Sequence, residues 1–239
     1  MQLRHRPHEQ RLVMFQAWQD LLFLHWKYSV EEIQRTLPSG LWVDSWDGHA
    51  WVGVVPFTMS GVRPRGLPAI PGLSSFPELN VRTYVHDRKG TPGVWFYSLD
   101  ASQWAAVKLA RWWFGLPYYH ARMRVLADPE SIDYESCRRG TSAACHFRYR
   151  PGASVAEAEA GSLEFFLIER YLLYTRNRGR LQQGRVHHRP YPLRSVAVEH
   201  WSDALIALAG IRLAGRPPEH ALYSKGVQVE VFQLQDSGR

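Results

Sequence analysis

The stretch Phe76-Pro-Glu-Leu-Asn-Val-Arg-Thr-Tyr-Val85 decides the fold class, because its apolar and polar side chains alternate with a period of two. In an extended strand, successive side chains point to opposite faces. One face of this strand is therefore apolar, and the other carries a polar row made of Glu78, Asn80, Arg82 and Tyr84. Such a row either faces solvent or lines the lumen of a closed sheet. In a lumen, Arg82 would hold Glu78 ionised or orient an anionic ligand.

Most of the remaining chain shows similar short runs bounded by glycine and proline, which is typical of antiparallel strands. The sequence predicts an α+β fold built on a closed or nearly closed antiparallel β-barrel with a few helices. The predicted strands are Leu21–Tyr28, Ala50–Thr58, Leu79–His86, Val94–Leu99, Ala121–Leu126, Ile132–Arg139, Ala144–Tyr149, Leu163–Tyr171, Arg185–His188 and Val227–Leu234.

Three segments indicate helices through their capping residues. Ser29 and Glu32 form a capping box, and Pro38 ends that helix. Asp100 is the predicted N-cap of a helix over residues 101–114 that stops at Gly115. Ser202 is the predicted cap of a shorter helix that ends at Gly210.

Length and composition favour one folded domain over residues 1–239. The 239 residues are 45% hydrophobic and 21% charged, which excludes disordered and fibrous classes. No apolar run approaches the roughly 18 to 20 residues of a membrane span. The first residues, MQLRHRPHEQRL, contain no apolar core of a secretion signal, so we expect a soluble, cytoplasmic protein without a membrane partner.

The chain is basic, with 29 Lys and Arg against 22 Asp and Glu and a net charge of +7. Five arginines cluster in a predicted hairpin loop: Arg176, Arg178, Arg180, Arg185 and Arg189. A solvated loop is the favoured interpretation, and nucleic-acid binding is the weaker one, because a nucleic-acid interface needs charge gathered on one face.

The two cysteines, Cys137 and Cys145, have no zinc-binding spacing. They are able to face each other across a hairpin, but two reduced thiols are the expectation for a cytosolic chain. A metal site built from His25, His49 and Glu78 is disfavoured, and the sequence predicts neither a metal nor a cofactor.

A second stretch, Val94 to His120, runs from a strand into the predicted helix and then through Gly115 to Tyr118, Tyr119 and His120. Its order of aromatic-x-x-x-Asp-Ala and Ala-Arg-x-x-Phe-Gly-Leu-Pro resembles the acetoacetate decarboxylase-like superfamily. Further segments are similar to its YqjF-like branch, the DUF2071 family, over about residues 12–234. These are Trp18-Gln-Asp-Leu-Leu-Phe-Leu-His-Trp26, Asp47-Gly-His-Ala-Trp-Val-Gly-Val-Val-Pro-Phe57, Glu78-Leu-Asn-Val-Arg-Thr-Tyr-Val85, Glu169-Arg-Tyr-Leu-Leu-Tyr-Thr175 and His187-His-Arg-Pro-Tyr-Pro-Leu193.

The resemblance implies a cone-shaped antiparallel β-barrel with flanking helices and a pocket inside it. It also implies that a Schiff-base lysine pair follows the Gly-x-Pro turn in true decarboxylases. Here those positions are Tyr118 and Tyr119, and a phenol forms no imine. The family's carboxylate-binding arginine before the first strand is missing, since residues 12–26 contain no arginine. Lys108 is expected on a solvated helix face.

Glu78 matches the acidic residue that faces the lysines in the family's pocket. An inward-pointing phenol beside it would donate a hydrogen bond to a carbonyl or enolate oxygen, with the carboxylate as base. The candidate catalytic residues are therefore Glu78, Tyr118 and Tyr119, of which one tyrosine should point inward. The candidate ligand-binding residues are Asn80, Arg82, Tyr84, His120, Glu169, Tyr171 and His188. For Glu169 and Arg170, ion pairing within the wall is the competing interpretation.

Three functions stay open at this point. The first is an enzyme that acts on a small carbonyl or keto-acid compound by acid and base steps without a Schiff base. The second is a non-catalytic ligand-binding or sensor module, and the third is a nucleic-acid binder that uses the arginine loop. The expected partner is a small anionic or carbonyl-containing ligand, and the sequence leaves homo-oligomer formation open.

Overall fold

Thirteen strands form one sheet in the computed structural model, which describes residues 2–105, 107–108, 114–177, 179–212 and 214–237. The strands are β1 (Leu12–Tyr28), β2 (Trp42–Val43), β3 (Ala50–Pro64), β4 (Phe76–His86), β5 (Pro92–Ala101), β6 (Tyr118–Ala127), β7 (Ile132–Arg138), β8 (Ala144–Ser154), β9 (Leu172–Asn177), β10 (Arg180–His188), β11 (Leu193–His200), β12 (His220–Phe232) and β13 (Gln235–Asp236). Short helices interrupt them: a 3-10 turn at Gln2–Arg4, α1 (Val30–Gln34), α2 (Leu163–Ile168) and α3 (Ala204–Leu208).

The sheet closes on itself because it forks at β5 and at β12. The strands β5, β4, β3, β1 and β12 form a shared arc. Strands β6, β7, β8 and β11 close the arc on one side, and β9 and β10 close it on the other. The result is two joined closed rings. The pairing is antiparallel as predicted, except that β5 runs parallel to both β6 and β9.

Each ring encloses a hydrophobic core, and β4 belongs to both. Leu79 and Val81 pack into the core that α3 covers. The opposite face of β4 points into the ring closed by β9 and β10, where Glu78, Asn80 and Arg82 are all buried. The solvent-facing interpretation of the polar row is therefore wrong, because both faces of this strand lie inside the protein.

The helix predictions hold in part. Ser29 caps α1 by accepting a hydrogen bond from the Glu32 backbone N–H at 3.2 Å. Residues 104, 105, 107, 108 and 114 of the second predicted helix are helical, whereas 106 and 109–113 lie outside the described residues. The Asp100 cap is wrong, since Asp100 lies within β5 and binds Arg138. Asp203 is the N-cap position of α3, and Ser202 accepts from the Ala204 backbone N–H at 3.3 Å.

The predicted strand Leu163–Tyr171 is wrong. Its first part is the helix α2, capped by Ser162, and the strand begins only at Leu172. A short apolar run such as LEFFLI fits a buried strand and a buried helix equally well, and the cap decides between them. The sequence analysis does not predict strands β2, β9, β11 and β13.

The hairpin of β7 and β8 separates the two cysteines. Cys137 lies opposite Ala144, while Cys145 lies opposite Ser136, so the two thiols occupy opposite faces of the sheet. Both are free, and Cys145 is buried.

The arginine loop is partly used within the protein. Arg185 donates to the backbone carbonyls of Leu3 and His5, at 3.2 and 2.7 Å, and Arg180 lies 3.8 Å from Asp236. Arg178 lies outside the described residues. In the described part of the chain, no helix is long and apolar enough to cross a membrane.

A buried ion pair ties β5 to β7 across β6. The Arg138 Nη2 and Nε atoms lie 2.6 and 3.0 Å from the Asp100 carboxylate, and the two side chains are 6% and 0% exposed. Loss of one partner leaves an uncompensated charge in the interior. We expect Asp100→Ala to lower the free energy of unfolding by about 3 to 5 kcal/mol in urea titrations.

The exposed pair of Arg150 and Glu199 provides the matched control, with Arg150 56% exposed. We expect Arg150→Ala to change the stability by less than about 1 kcal/mol. Equal losses for the two variants would contradict a specific role of the buried pair.

Candidate functional site

A cavity of about 150 Å³ lies inside the ring closed by β9 and β10. Its wall is mainly apolar, with contributions from Trp18, Phe57, Met59, Phe96, Leu116 and Val186. The polar row of β4 interrupts this wall with Glu78, Asn80 and Arg82, and Tyr118 faces the row from β6. Few polar groups in an apolar cavity are typical of small-molecule sites.

A turn at Gly115 brings Tyr118 to the cavity. Gly115 has a φ of +63°, and a Cβ atom at this position would come within 2.8 Å of the Asn177 Cβ. Glycine is therefore required here, both by backbone conformation and by space. The chain then enters β6, where Tyr118 pairs with Leu99 of β5, while Glu78 of the adjacent β4 pairs with Ala101.

Glu78 and Tyr118 meet directly. The Tyr118 hydroxyl donates to Glu78 Oε2 at 2.9 Å, and the two residues are 7% and 2% exposed, respectively. Burial raises the pKa of Glu78 to about 8, although the hydrogen bond from Tyr118 opposes that rise. Burial and the neighbouring carboxylate also raise the pKa of Tyr118 well above its usual value. At neutral pH the pair consists mostly of a carboxylic acid and a phenol.

Asn80 and Arg82 carry unused hydrogen-bonding groups. Asn80 Oδ1 and Arg82 Nε are buried without a hydrogen-bond partner among the described residues. Arg82 Nη2 donates to the Leu167 carbonyl at 3.2 Å, and no described carboxylate lies within 4.0 Å of the guanidinium. A buried cation without an acidic partner is costly. The charge of Arg82 is therefore available to an anionic ligand, whereas Asn80 Oδ1 accepts hydrogen bonds and needs a donor.

Tyr84 continues the polar row, but its hydroxyl is used within the protein. It donates to the Leu167 carbonyl at 2.7 Å and lies 2.8 Å from His25 Nε2. His25 in turn lies 3.0 Å from His220, Nδ1 to Nδ1. Tyr84 and Arg82 thus donate to the same backbone carbonyl, that of Leu167. Tyr84 lies beside Arg82 but does not line the cavity.

Glu169, Tyr171 and His188 form a separate cluster. Glu169 accepts hydrogen bonds from the Tyr171 hydroxyl and, at 3.2 Å, from the Tyr191 backbone N–H. His188 stacks on Tyr171 with ring centroids 4.7 Å apart, and burial lowers its pKa to about 4. None of the three lines the cavity, because Trp18 and Tyr191 lie between it and His188.

Tyr119 and His120 lie outside the cavity, so their placement in the site is corrected. Tyr119 is 39% exposed, and the Arg138 guanidinium covers its ring at 4.1 Å. His120 is half-buried, with Nε2 3.2 Å from the Ser102 carbonyl. Alternation along β6 explains the position of Tyr119, since only Tyr118 of the tyrosine pair faces inward. His120 shares the face of Tyr118 but lies further along the strand, beyond the residues that line the cavity.

Sequence reasoning missed Gln16, Trp18, Arg170 and Tyr191, which line the cavity. Arg170 does not pair with Glu169, because it binds Asp44 at 2.7 Å and the Phe166 carbonyl at 2.6 Å. Gln16 and Trp18 are two residues apart in a strand, so their shared face could be inferred from the sequence. The contact between Arg170 and Asp44 spans 126 residues and has no local signal.

No lysine lines the cavity among the described residues. Lys108 is exposed, and its ammonium lies 4.1 Å above the ring of Trp104, as expected for a solvated helix face. Within the same described part of the chain, no group of three or more His, Cys, Asp or Glu side chains is placed to hold a metal ion.

Comparison with known proteins agrees with this architecture. The DUF2071 family model, described as "Uncharacterized conserved protein (COG2071)", matches residues 15–228. "Uncharacterized protein YqjF" of Bacillus subtilis is 42% identical over 207 residues, which cover 86% of this chain and 85% of that protein.

Two solved structures show the same fold at low sequence identity. An acetoacetate decarboxylase-like enzyme from Sphingomonas wittichii RW1 has a TM-score of 0.61 and 14% identity, with 94% of each chain covered. The enduracididine biosynthesis enzyme MppR complexed with pyruvate has a TM-score of 0.57 and 13% identity, with 98% of this chain and 92% of that chain covered. The chain therefore has an acetoacetate decarboxylase-like fold, made mostly of strands with a few helices, and belongs to the DUF2071 family.

Proposed function

We propose that the chain binds a small keto acid in the cavity and catalyses proton transfer at the carbon next to its carbonyl group, without a Schiff base. The observation that carries this proposal is the buried hydrogen bond from Tyr118 to Glu78 inside a mainly apolar cavity. In this proposal, the ring around the cavity corresponds to the cone-shaped barrel that the family resemblance implies.

The proposed step takes place at Glu78 and Tyr118. Arg82, two side chains further along the same face of β4, attracts an anionic ligand into the cavity through its charge. Glu78, in its ionised form, takes the proton from the carbon next to the carbonyl. The electron pair of that C–H bond forms the C=C bond of the enolate, and the π electron pair of the carbonyl moves to its oxygen. Tyr118 then donates its hydrogen bond to the enolate oxygen instead of to Glu78. The proton on Glu78 then exchanges with solvent, and delivery of a solvent-derived proton from Glu78 to the carbon completes the exchange.

Two observations support a keto acid and disfavour imine chemistry. Tyr118 occupies the position where the resemblance places a Schiff-base lysine, and Lys108 is exposed. One protein with this fold, MppR, is described as complexed with pyruvate, which is a keto acid. A buried arginine without an acidic partner suits the carboxylate of such a ligand.

The alternative is a non-catalytic ligand-binding or sensor module that uses the same cavity. The raised pKa of Glu78 favours this alternative at neutral pH, since most of the carboxyl is then protonated and is not available as a base. Both functions require ligand binding at Arg82, and only the enzyme requires proton transfer at Glu78.

Deuterium uptake separates the two functions. We expect the protein to accelerate exchange at C3 of pyruvate, 2-oxobutanoate or 2-oxohexanoate in D₂O, measured by NMR against a protein-free blank. Glu78→Gln should lower the exchange rate by about 10² to 10⁴ through loss of the base. Tyr118→Phe should lower it by about 10² to 10³ through loss of the oxyanion donor.

Tyr119→Phe is the matched control, because this neighbouring tyrosine lies outside the cavity; it should leave exchange unchanged. Binding of keto acids without exchange would support the sensor module and reject the enzyme. Equal effects of the two tyrosine variants would reject the assignment of Tyr118.

The pH profile tests the titration of Glu78. Because the carboxyl is active only when ionised and its pKa is about 8, kcat/KM for exchange should rise with pH and level off above that value. Deuterium-exchange rates measured by NMR between pH 6 and 9.5 check this. A profile that is flat across this range would show that a different group limits the reaction.

Glu78→Gln should also change how stability depends on pH. The folded-state pKa of about 8 lies above the ordinary value of 4.5, so the folded protein holds this proton more tightly than the unfolded chain. The resulting stabilisation is full below about pH 4.5 and is lost as the pH rises through 8. Relative to wild type, the variant should therefore gain up to about 4 kcal/mol between pH 5 and pH 9, measured by urea unfolding. Parallel stability curves would contradict the shifted pKa.

A further inference from the structure

An exposed apolar patch is formed by four large side chains: Leu67, Ile70, Leu73 and Trp104. They are between 47% and 59% exposed. The first three lie in the loop between β3 and β4, and the fourth lies just after β5. Gln103 joins the two segments, because its Nε2 donates to the Gly72 carbonyl at 3.2 Å. Apolar side chains that are exposed singly are common, whereas a group of them marks a surface for interaction.

The loop holds its own shape. The Ser74 backbone N–H donates to the Ile70 carbonyl at 3.0 Å, and Ser74 Oγ accepts from the Ile70 N–H at 2.8 Å. Pro64, Pro68 and Pro71 restrict the backbone at three further positions. A stiff loop loses little conformational entropy when it binds, so the patch is preorganised for contact.

The surroundings of the patch are basic. Residues 60–77 and 101–115 contain no Asp or Glu. They contain four cations instead: Arg63, Arg65, Lys108 and Arg111. Arg111 lies outside the described residues, and no described carboxylate lies within 4.0 Å of the other three. The Lys108 ammonium lies 4.1 Å above the ring of Trp104, so charge and apolar surface are in direct contact.

This combination of charge and apolar surface decides which partner fits. A second copy of the chain would place the same cations opposite one another. A nucleic acid would neutralise the cations and leave the apolar side chains without burial. A bilayer with anionic lipids satisfies both, because its headgroups attract the cations, and its interface accepts tryptophan and aliphatic side chains. Fluid lipid also adapts to a protruding loop, whereas a folded partner needs a matching groove.

We propose that the apolar patch inserts into the interface of a bilayer that contains anionic lipids, with Arg63, Arg65 and Lys108 at the headgroups. The sequence predicts no membrane partner because it has no apolar run long enough to cross a bilayer, but an interfacial contact needs no such run. The contact goes beyond the proposed function and does not depend on the chemistry of the cavity.

Sedimentation with sucrose-loaded vesicles tests the contact. Vesicles of phosphatidylcholine with about 30% phosphatidylglycerol should bind the protein at least about tenfold more tightly than phosphatidylcholine alone, since each cation near an anionic surface adds roughly fivefold. Raising the salt from about 0.1 M to about 1 M should remove most of this difference through screening. Absence of binding to the anionic vesicles would overturn the proposal.

A double variant, Ile70→Ser with Leu73→Ser, removes apolar surface and keeps the charge. It should bind the anionic vesicles at least about tenfold more weakly than wild type. Leu208→Ser is the matched control, because Leu208 is 45% exposed on α3, which covers the other core, and it should bind like wild type. All three side chains are exposed, so both variants should keep the thermal transition of wild type. Equal binding by the double variant and wild type would reject insertion of the patch.

Brominated phosphatidylcholine in the same vesicles reports on Trp104. Bromine on the acyl chain quenches the fluorescence of a tryptophan that enters the bilayer. Trp104→Phe should therefore lose most of the quenching that the vesicles cause, whereas Trp42→Phe, which replaces a tryptophan that is 42% exposed, should keep it. Quenching that persists in Trp104→Phe would place a different surface on the bilayer and contradict the proposal.

The rival partners give different results with the same variants. Tighter binding to a random DNA duplex than to vesicles, unchanged by Ile70→Ser with Leu73→Ser, would assign the surface to nucleic acid. A dimer in sedimentation velocity that this double variant dissociates would assign the surface to a second copy of the chain. Either result would overturn the assignment to a bilayer.

Discussion

Burial of β4 on both faces is the constraint on which the site depends. A strand on the surface of a sheet hides one row of side chains and hydrates the other. Here the sheet forks, and β4 lies in the arc that both rings share, so its polar row is buried inside the protein. Each polar group in the row must find a partner in the protein or in a ligand. Glu78 finds Tyr118, whereas Asn80 and Arg82 keep unused groups.

The fork in turn depends on how β5 is shared. Its first part pairs with β9 through Val94 and Trp95, and its last part pairs with β6 through Leu99 and Ala101. The first pairing closes the ring that contains the cavity, and the second brings Tyr118 in beside Glu78. Asp100 lies in the part of β5 that pairs with β6, and it binds Arg138 of β7. This ion pair holds β5 and β7 together on either side of β6, the strand that carries Tyr118.

The sequence predicts those features whose signal is local. Alternation in β4 identified Glu78 and Arg82 as one face, and the Gly-Leu-Pro turn before Tyr118 marked the entry to β6. Long-range pairing has no such signal. The sequence predicts ion pairing within the wall for Glu169 and Arg170 but not their partners. Arg170 pairs with Asp44, 126 residues away, whereas Glu169 accepts hydrogen bonds from Tyr171 and Tyr191 in the cluster that also contains His188. Which of the two rings a side chain faces depends on strand pairings that are distant in sequence.

Tyr118 stands where the family resemblance implies a lysine, and this has a simple electrostatic consequence for Glu78. A cation opposite a buried carboxyl stabilises its charged form and offsets the cost of desolvation. A phenol supplies one hydrogen bond and no charge, so desolvation dominates and the pKa of Glu78 rises to about 8. Arg82 lies on the same face of the strand, but four residues away along β4, at about 13 Å between Cα atoms. In the proposed function the fixed positive charge and the proton-transfer pair are therefore separate, and Glu78 becomes available as a base only as the pH rises toward 8.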